Sequence, residues 1–506
     1  MIILYNPKIE RKGKQRLPKS LLALAAVLKD DYVIIDGNLN DNAYESILHH
    51  INNNEPPHFL GVTVMGGPSL KRAYEDCKRI KKQIPDLTII WGGYFPTIFP
   101  DCVVNSDFVD FVIRGQGEFT QLELIDACKN GKSFSNIDGL SYKENGEIKH
   151  NRPRTLVSLD LLPRYPYEAV DVNKYLVPTF LGNRTISHSS SIGCPYRCNF
   201  CGVVNMYDSH WLAESAERTA NTITLLKDSY LIDAVEFHDS NFFVSEARTV
   251  EFCDRVAGLN ISWFGEGRID TLLKYSYETW LKMKKGGCRM IYLGAESGSD
   301  EILQRMDKGL TTQQTVDLNK RCKSYGIIPY FFFVVGNPYD PEKDIRESID
   351  FIYHLKKDNP SCEILLCLYT PIPLPGMYED AVSCGFKYPD TLEEWVSERW
   401  ENFDERHNPQ TLWLKPHHKR LVENFGLVLG ARYPTITERI SLPYRRFLKM
   451  LGSWRYHLRF FHMPIELKLA FKYLYHQRQN TSITNYSLGN VGAGFKPAPT
   501  ITIWKR

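Results

Sequence analysis

The sequence lacks the features of several specialised protein classes. No apolar run reaches the ~18 residues of a membrane span, and Ile327 to Val335 falls far short of it. The net charge is only +3, from 62 Lys and Arg against 59 Asp and Glu, so nucleic acid is not an expected partner. Cysteine is too sparse, at 12 of 506 residues, for a secreted disulfide scaffold. Since Met1–Leu4 also lacks a signal-peptide pattern, we expect a cytoplasmic location.

Residues 1–130 alternate short apolar runs with amphipathic segments. This pattern predicts an α/β domain with a doubly wound parallel sheet, because strands covered on both faces have no polar side. Glycines follow three of the predicted strands, at 66–67, 92–93 and 115–117. Ligands of such sheets bind beyond the carboxyl ends of the strands. We therefore expect a ligand site at these glycines.

The rest of the chain divides into four predicted regions. Residues 131–184 have little periodicity and are interpreted as a connector, with a hairpin turn at Asn145-Gly146. Six strand–helix units in 185–400 predict a partial (β/α)6 barrel of the TIM type, whose functional groups cluster at strand carboxyl ends. Residues 401–480 are aromatic, basic and predicted to be helical, and 481–506 are predicted to be a disordered tail.

Three cysteines form the most specific motif of the sequence. Cys194, Cys198 and Cys201 lie within eight residues, after the first predicted barrel strand. Three thiolates on a four-iron cluster leave one iron open to an organic chelator. The alternatives are a zinc site completed by His188 or His210, or free buried thiols.

The spacing C-x3-C-x2-C, with Phe200 before the third cysteine, resembles the cluster loop of radical S-adenosylmethionine enzymes. The resemblance implies that Cys194, Cys198 and Cys201 hold a [4Fe-4S] cluster. In that family, one electron from the cluster cleaves S-adenosylmethionine and yields a 5′-deoxyadenosyl radical.

Polar residues after the later barrel strands resemble further elements of this family. The resemblance implies S-adenosylmethionine-binding roles for Phe200, Asp239, Asn241, Arg268, Glu296, Ser297 and Asn337. Each segment also has a structural alternative: a helix cap at Asp239 or Glu296, an exposed salt bridge at Arg268, or a simple turn at Asn337.

The glycine-rich turns of the first domain resemble the Rossmann-like cobalamin-binding domain that precedes the radical domain in the same family. The resemblance implies that cobalamin contacts Thr63, Val64, Met65, Gly66, Gly92, Gly93, Tyr94, Gly115, Gly117 and Glu118. Two departures stand out: there is no D-x-H-x-x-G motif, and Phe95 occupies a position where relatives commonly have His. The alternative is a domain that has lost this cofactor or binds another.

The resemblance is strongest to class B methyltransferases and the anaerobic magnesium-protoporphyrin ester cyclase group. It implies an enzyme that methylates an unactivated carbon of a small-molecule or lipid-like substrate, with a flavodoxin- or ferredoxin-type electron donor. The alternatives are oxidative or ring-forming chemistry without methyl transfer, and a non-catalytic corrinoid- or metal-binding protein.

The C-terminal region suggests one further partner. Residues 411–480 hold 13 Lys and Arg against 3 Asp and Glu. This basic and aromatic composition is compatible with a peripheral membrane contact, and the alternatives are an ordinary solvated surface, closure over the substrate, or RNA binding.

Overall fold

Two mainly parallel β-sheets organise the protein in the computed structural model, the first in residues 2–150 and the second in residues 185–368. The structure describes residues 1–9, 15–29, 32–400, 410–438 and 440–480. The predicted tail at 481–506, and residues 401–409 of the predicted helical region, lie outside the described residues. Within the described ranges, no helix is long and apolar enough to cross a membrane.

The first sheet has seven strands, of which five are parallel. The strands are β1 (Ile2–Asn6), β2 (Tyr32–Asp36), β3 (Phe59–Thr63), β4 (Thr88–Gly92), β5 (Phe111–Ile113), β6 (Leu140–Glu144) and β7 (Glu147–His150), in the order β2-β1-β3-β4-β5-β6-β7. The helices are α1 (Lys19–Val27), α2 (Ala43–Asn52), α3 (Pro68–Gln83), α4 (Tyr94–Ile98), α5 (Pro100–Val104) and α6 (Glu118–Asn130). Successive residues Ile3 and Leu4 of β1 are both fully buried, because helices cover both faces. The predicted doubly wound domain is confirmed.

The hairpin of β6 and β7 extends this sheet past residue 130, into the stretch interpreted as a connector. Its two strands pair antiparallel, and β6 covers the open edge of β5. The predicted turn has positive φ at both Asn145 (53°) and Gly146 (83°), as a two-residue hairpin requires. Three 3₁₀ turns follow, at Leu159–Leu161, Tyr167–Ala169 and Val172–Tyr175.

The second sheet is an open barrel of six parallel strands. Its strands are β8 (Thr185–His188), β11 (Ala234–Phe237), β12 (Ser262–Gly267), β13 (Cys288–Glu296), β14 (Ile328–Val335) and β15 (Glu363–Leu368), in the order β15-β14-β13-β12-β11-β8. The short strands β9 (Ser191–Gly193) and β10 (Trp211–Ala213) form a separate antiparallel pair. All six predicted barrel strands are present, and β8 and β15 form the two edges.

Helices follow the strands of the second sheet, and all but α7, which lies at the junction with the first sheet, belong to the barrel. They are α7 (Gly202–Tyr207), α8 (Ala216–Tyr230), α9 (Glu246–Val256), α10 (Ile269–Leu273), α11 (Tyr277–Lys285), α12 (Asp300–Arg305), α13 (Thr312–Tyr325) and α14 (Pro341–Asp358), with a 3₁₀ turn at Phe242–Val244. Alternation along β13 separates two cores: Ile291 and Leu293 pack against the helices, and Tyr292 packs inside the barrel. Gly326 ends α13 with φ 64°, as its position in the sequence predicts.

The C-terminal part is helical and returns to both sheets. It contains α15 (Met377–Ser383), α16 (Leu392–Trp395), α17 (Pro416–Arg432), α18 (Leu442–His457) and α19 (Ile465–Asn480). Trp395 of α16 joins the core of the first sheet, whereas Val422 and Phe425 of α17 join the outer core of the barrel. This segment therefore connects the two halves of the molecule.

Candidate active site at the junction of the two sheets

The cysteine loop begins directly after β9. Gly193 has φ 73°, and a Cβ at this position would overlap the carbonyl oxygen of His210, so the turn into Cys194 requires glycine. Asp239 is fully buried just after β11 and anchors the residues that precede the cysteine loop. Its carboxylate accepts hydrogen bonds from the Ser190 backbone N–H (2.8 Å) and from the Ser190 and Ser191 hydroxyls (both 2.7 Å). Asp239 therefore fixes the strand that presents the cysteines.

Side-chain nitrogen donors lie beside two of the three thiols. Asn241 Nδ2 lies 3.7 Å from Cys194 Sγ, and Arg268 Nη1 lies 3.3 Å from Cys198 Sγ. Burial, reinforced by the nearby Cys198 and Cys194, raises the pKa of Cys201 to about 11. Thiolates that accept N–H hydrogen bonds are the donor set that iron–sulfur clusters require. The residues present therefore fit such a cluster.

The alternative zinc site finds little support in the positions of the two histidines. His188 Nε2 lies 3.6 Å from a Glu214 carboxylate oxygen, and His210 Nδ1 lies 3.1 Å from the Tyr207 carbonyl oxygen. Across the described ranges, no three His, Cys, Asp or Glu side chains, the three cysteines included, are grouped to hold a single metal ion, so the cluster assignment rests on the chemistry of the cysteine loop.

Two buried cations lie beside the cysteine loop. Lys308 Nζ is 2.7 Å from Glu296 Oε1 and 5.6 Å from the centre of the Phe200 ring. Burial opposes the charge of this ammonium, but the Glu296 carboxylate raises the pKa of Lys308 above its usual value. The Arg268 guanidinium stacks 3.7 Å above the Tyr196 ring, and its Nη2 donates to the carbonyl oxygen of Lys308. Two ion pairs, Lys308 with Glu296 and Arg268 with Asp270, therefore lie on one side of the loop.

Glu296 has a backbone conformation that residues other than glycine rarely adopt. Its φ is 63°, at the end of β13 where the pairing with β14 becomes irregular. Such a conformation persists where the surroundings enforce it, and it is frequent at functional sites. Here it directs a 6% exposed carboxylate toward Lys308 and the cysteine loop.

Ser297 and Asn337, both predicted to bind S-adenosylmethionine, are connected by hydrogen bonds through Asp344, which the sequence analysis did not identify. Ser297 Oγ donates to Asp344 Oδ1 (2.7 Å), and Asp344 Oδ2 accepts from the Gly336 N–H (2.7 Å), next to Asn337. Asp344 lies in the first turn of α14 and is fully buried. In sequence it resembles an ordinary acidic residue at a helix start, and no local pattern marks it or Lys308.

One buried polar atom near the end of β11 has no partner among the described residues. Asn241 Oδ1 accepts no hydrogen bond there, whereas the Asn337 side chain, near the end of β14, donates to the Asp344 carboxylate. Unpaired buried polar atoms cost stability, which a polar ligand recovers. The unpaired Asn241 Oδ1 fits the binding of a small polar molecule such as S-adenosylmethionine beside the cysteines.

The glycine turns of the first sheet form a hydrogen-bonded platform at its carboxyl edge. Thr97 Oγ1 donates to the Gly93 carbonyl (2.7 Å) and accepts from the Gly115 N–H (3.1 Å). Gly93 has φ 99°, and a Cβ there would lie 3.1 Å from Thr63 Oγ1. Next to this turn, Met65 is 38% exposed although Val64 is fully buried. Flat turns with an exposed apolar side chain fit a large planar ligand.

The two carboxyl edges meet at α7. A Cβ on Gly202 would overlap the Tyr94 hydroxyl and would lie 2.8 Å from the Tyr94 Cζ. A Cβ on Gly115 would lie 3.8 Å from the carbonyl oxygen of Met206. Burial, together with the charge of Glu118, raises the pKa of Tyr207 to about 12. The glycine turns of the first sheet thus contact the helix that follows Cys201.

Comparison with known proteins identifies both halves of this site. Residues 189–352 match the model of the radical SAM superfamily, and residues 17–125 match that of the B12-binding domain. An uncharacterised methyltransferase of Pyrococcus horikoshii is 30% identical over 72% of this chain and 78% of its own length. The chain belongs to the cobalamin-binding radical S-adenosylmethionine enzymes. Its cofactors are accordingly a [4Fe-4S] cluster, S-adenosylmethionine and cobalamin, as the sequence predicts.

Other members of the family align over different shares of the chain. The anaerobic magnesium-protoporphyrin IX monomethyl ester cyclase of Synechocystis is 26% identical over 59% of this chain and 57% of its own length. The solved structure of the methyltransferase TsrM from Kitasatospora setae superposes with a TM-score of 0.69, at 17% identity over 94% of this chain and 99% of that one. The predicted fold class is therefore confirmed over both sheets and the helical C-terminus.

Proposed function

We propose that this enzyme transfers a methyl group to an unactivated carbon of its small-molecule substrate. The α7 junction carries the proposal, because there the glycine turns of one sheet contact the cysteine loop of the other through Tyr94 and Gly202. When bound, the cluster supplies an electron to S-adenosylmethionine and cobalamin supplies the methyl group. Groups held close and oriented react far faster than free ones, since their translational entropy is already lost.

In this proposal, the barrel residues hold the cluster and the adenosyl cofactor. Cys194, Cys198 and Cys201 bind iron. Asn241 offers its unpaired buried Oδ1 to a polar group of S-adenosylmethionine, and Asn337, whose side chain hydrogen-bonds Asp344, is assigned to the same ligand. The same ligand is assigned to Phe200, Asp239, Arg268, Glu296 and Ser297, which surround the loop or fix its neighbours.

The first sheet would hold cobalamin through its carboxyl-edge turns. We assign this contact to Thr63 to Gly66, Gly92 to Tyr94, Gly115, Gly117 and Glu118, which adjoin the Thr97 platform. We accordingly propose residues 1–130 as the cobalamin domain, extended by the β6–β7 hairpin, and 185–400 as the radical domain. Residues 131–184 would connect them, and 401–480 would form the C-terminal region.

The relatives support methyl transfer and also one competing reaction. The Pyrococcus relative is named a methyltransferase, which favours methyl transfer. The Synechocystis relative is named a cyclase, which favours oxidative or ring-forming chemistry with the same cofactors. Product mass separates the two, because only methyl transfer adds one methyl group to the substrate.

Anaerobic reconstitution with iron, sulfide and cobalamin tests the proposal. We expect 5′-deoxyadenosine after reduction with the parent protein, and none with Cys198→Ala, since that variant loses a cluster ligand. Cys384→Ala, which removes an exposed cysteine, is the matched control and should retain full activity. Equal turnover by Cys198→Ala and the parent would overturn the assignment of the cluster.

Two partners complete the proposal. The reductant is proposed to be of the flavodoxin or ferredoxin type, because a low-potential cluster needs a low-potential donor. The substrate is proposed to be a small or lipid-like molecule, and the basic C-terminal region is proposed to make a peripheral membrane contact.

A further inference from the structure

We propose that α18 and α19 form a docking surface for an anionic lipid membrane. Of the 20 large hydrophobic side chains that are exposed in the described chain, ten lie between residues 442 and 473. Such a concentration marks an interaction surface, whereas single exposed apolar residues do not. We call this surface the C-terminal apolar face and define it by Phe447, Met450 and Trp454 of α18 with Ile465, Leu469 and Tyr473 of α19.

The apolar face consists of two helical stripes. Phe447, Met450 and Trp454 follow one another at intervals of three and four residues, and are 42%, 65% and 45% exposed. Ile465, Leu469 and Tyr473 are spaced by four residues and are 54%, 62% and 57% exposed. Each set therefore lies on one side of its helix, as in helices that lie in a membrane interface.

The opposite sides of both helices are fixed to the protein. Leu448 and Leu467 are fully buried in the core shared with the barrel. A Cβ on Gly452 would lie 2.6 Å from the Ala431 Cβ, so α18 packs closely against α17. Because the inner sides are occupied, the exposed stripes face away from the barrel and are open to an external partner.

The charge of the surface identifies that partner. Residues 442–474 contain seven Lys and Arg but a single acidic residue, Glu466. Glu466 is bound by Arg455, whereas Arg446, Lys449, Lys468 and Lys472 are exposed beside the two stripes. Anionic headgroups attract such cations while the apolar stripe enters the acyl boundary. Trp454 and Tyr473 are of the types that favour this boundary.

Vesicle sedimentation with the full-length protein tests the proposal. We expect binding to vesicles of phosphatidylcholine mixed with phosphatidylglycerol, and much weaker binding to phosphatidylcholine alone. Met450→Ser combined with Leu469→Ser should lower the partition coefficient at least about tenfold, because two inserted side chains are lost. Leu161→Ser with Leu231→Ser removes two side chains that are 76% and 71% exposed elsewhere, and should leave binding unchanged.

A charge variant and a mass measurement complete the test. Lys449→Gln with Lys468→Gln should weaken binding to the anionic vesicles about tenfold or more, and added salt should weaken the parent similarly. No binding to anionic vesicles, or equal loss with the Leu161 and Leu231 pair, would overturn the proposal. So would light scattering that shows a dimer which Met450→Ser with Leu469→Ser dissociates. The proposal rests on the membrane contact proposed above, but none of these readouts depends on methyl transfer, so the membrane contact and the proposed chemistry can fail separately.

Discussion

At the residue scale, Arg268 links the barrel to the proposed cluster. Its Nη1 lies 3.3 Å from Cys198 Sγ, and its Nε donates to Asp270 Oδ1 at 2.9 Å. The guanidinium group also stacks on the Tyr196 ring, which fixes its plane. The family resemblance of the sequence implies that Arg268 binds S-adenosylmethionine. The hydrogen bond to Cys198 suggests an additional role as a positioning residue that stabilises the more negative, reduced state of the cluster.

Replacing Arg268 by Gln should therefore lower the reduction potential of the reconstituted cluster. We expect the reduction equilibrium to shift by about tenfold, which corresponds to about 59 mV for one electron. Arg197→Gln is the matched control, because Arg197 is an exposed cation in the same loop. Potentiometric titration followed by electron paramagnetic resonance measures the shift. Equal potentials for Arg268→Gln and Arg197→Gln would assign no such role to the guanidinium.

At the element scale, the short helix α7 sets the distance between the two halves of the site. It begins at Gly202, directly after Cys201, and the Tyr94 ring of α4 lies against its first residue. No side chain fits between them. A small change at this contact should therefore move the glycine turns of the first sheet away from the cysteine loop. The conformation of the turns and that of the loop should each stay the same.

Gly202→Ala tests this dependence. We expect methylated product to fall by tenfold or more, because displacements of about 1 Å can cost ~10²-fold in rate. Cleavage of S-adenosylmethionine should persist, since the cysteines are unchanged. In a Tyr94→Ala background the same substitution should have little further effect, because the obstructing ring is gone. Gly258→Ala, whose Cβ would meet no atom within 4 Å, is the control, and a loss of product equal in both backgrounds would contradict the steric explanation.

The elements themselves were largely predictable, but several contacts between them were not. Continuous apolar runs and their terminal glycines predicted all six barrel strands and the glycine turns of the first sheet, because these signals are local. The pairing of β6 with β5 was missed, because a short edge hairpin carries weak periodicity. Lys308 and Asp344 were missed for a different reason: each acts through a partner distant in sequence, Glu296 and Ser297 respectively.

At the scale of the whole molecule, a C-terminal segment holds the two sheets together. Trp395 is 4% exposed and packs against the first sheet, with ring centres 5.1 Å from Phe95 and 4.8 Å from Phe99. Within the same segment, Met377 packs with Tyr369, which follows β15 of the barrel. Since Phe95 and Phe99 belong to or border the helix that begins at Tyr94, this contact also braces the α7 junction.

Trp395→Ala should loosen this connection. We expect it to lower the stability of the protein and the yield of methylated product for each S-adenosylmethionine cleaved. Removing a buried Trp side chain costs about 3–5 kcal/mol, and the loss should fall on the packing of the first sheet against residues 377–400. Large proteins with several domains need not unfold in one step. We therefore expect the first thermal unfolding transition to occur at a lower temperature in this variant. Product formation should fall more than cleavage of S-adenosylmethionine, since the barrel retains its cysteines while the cobalamin turns lose their brace. Trp454→Ala, at a 45% exposed position, is the matched control. If both variants had the same melting temperature and the same ratio of methylated product to 5′-deoxyadenosine, Trp395 would have no part in holding the two sheets together.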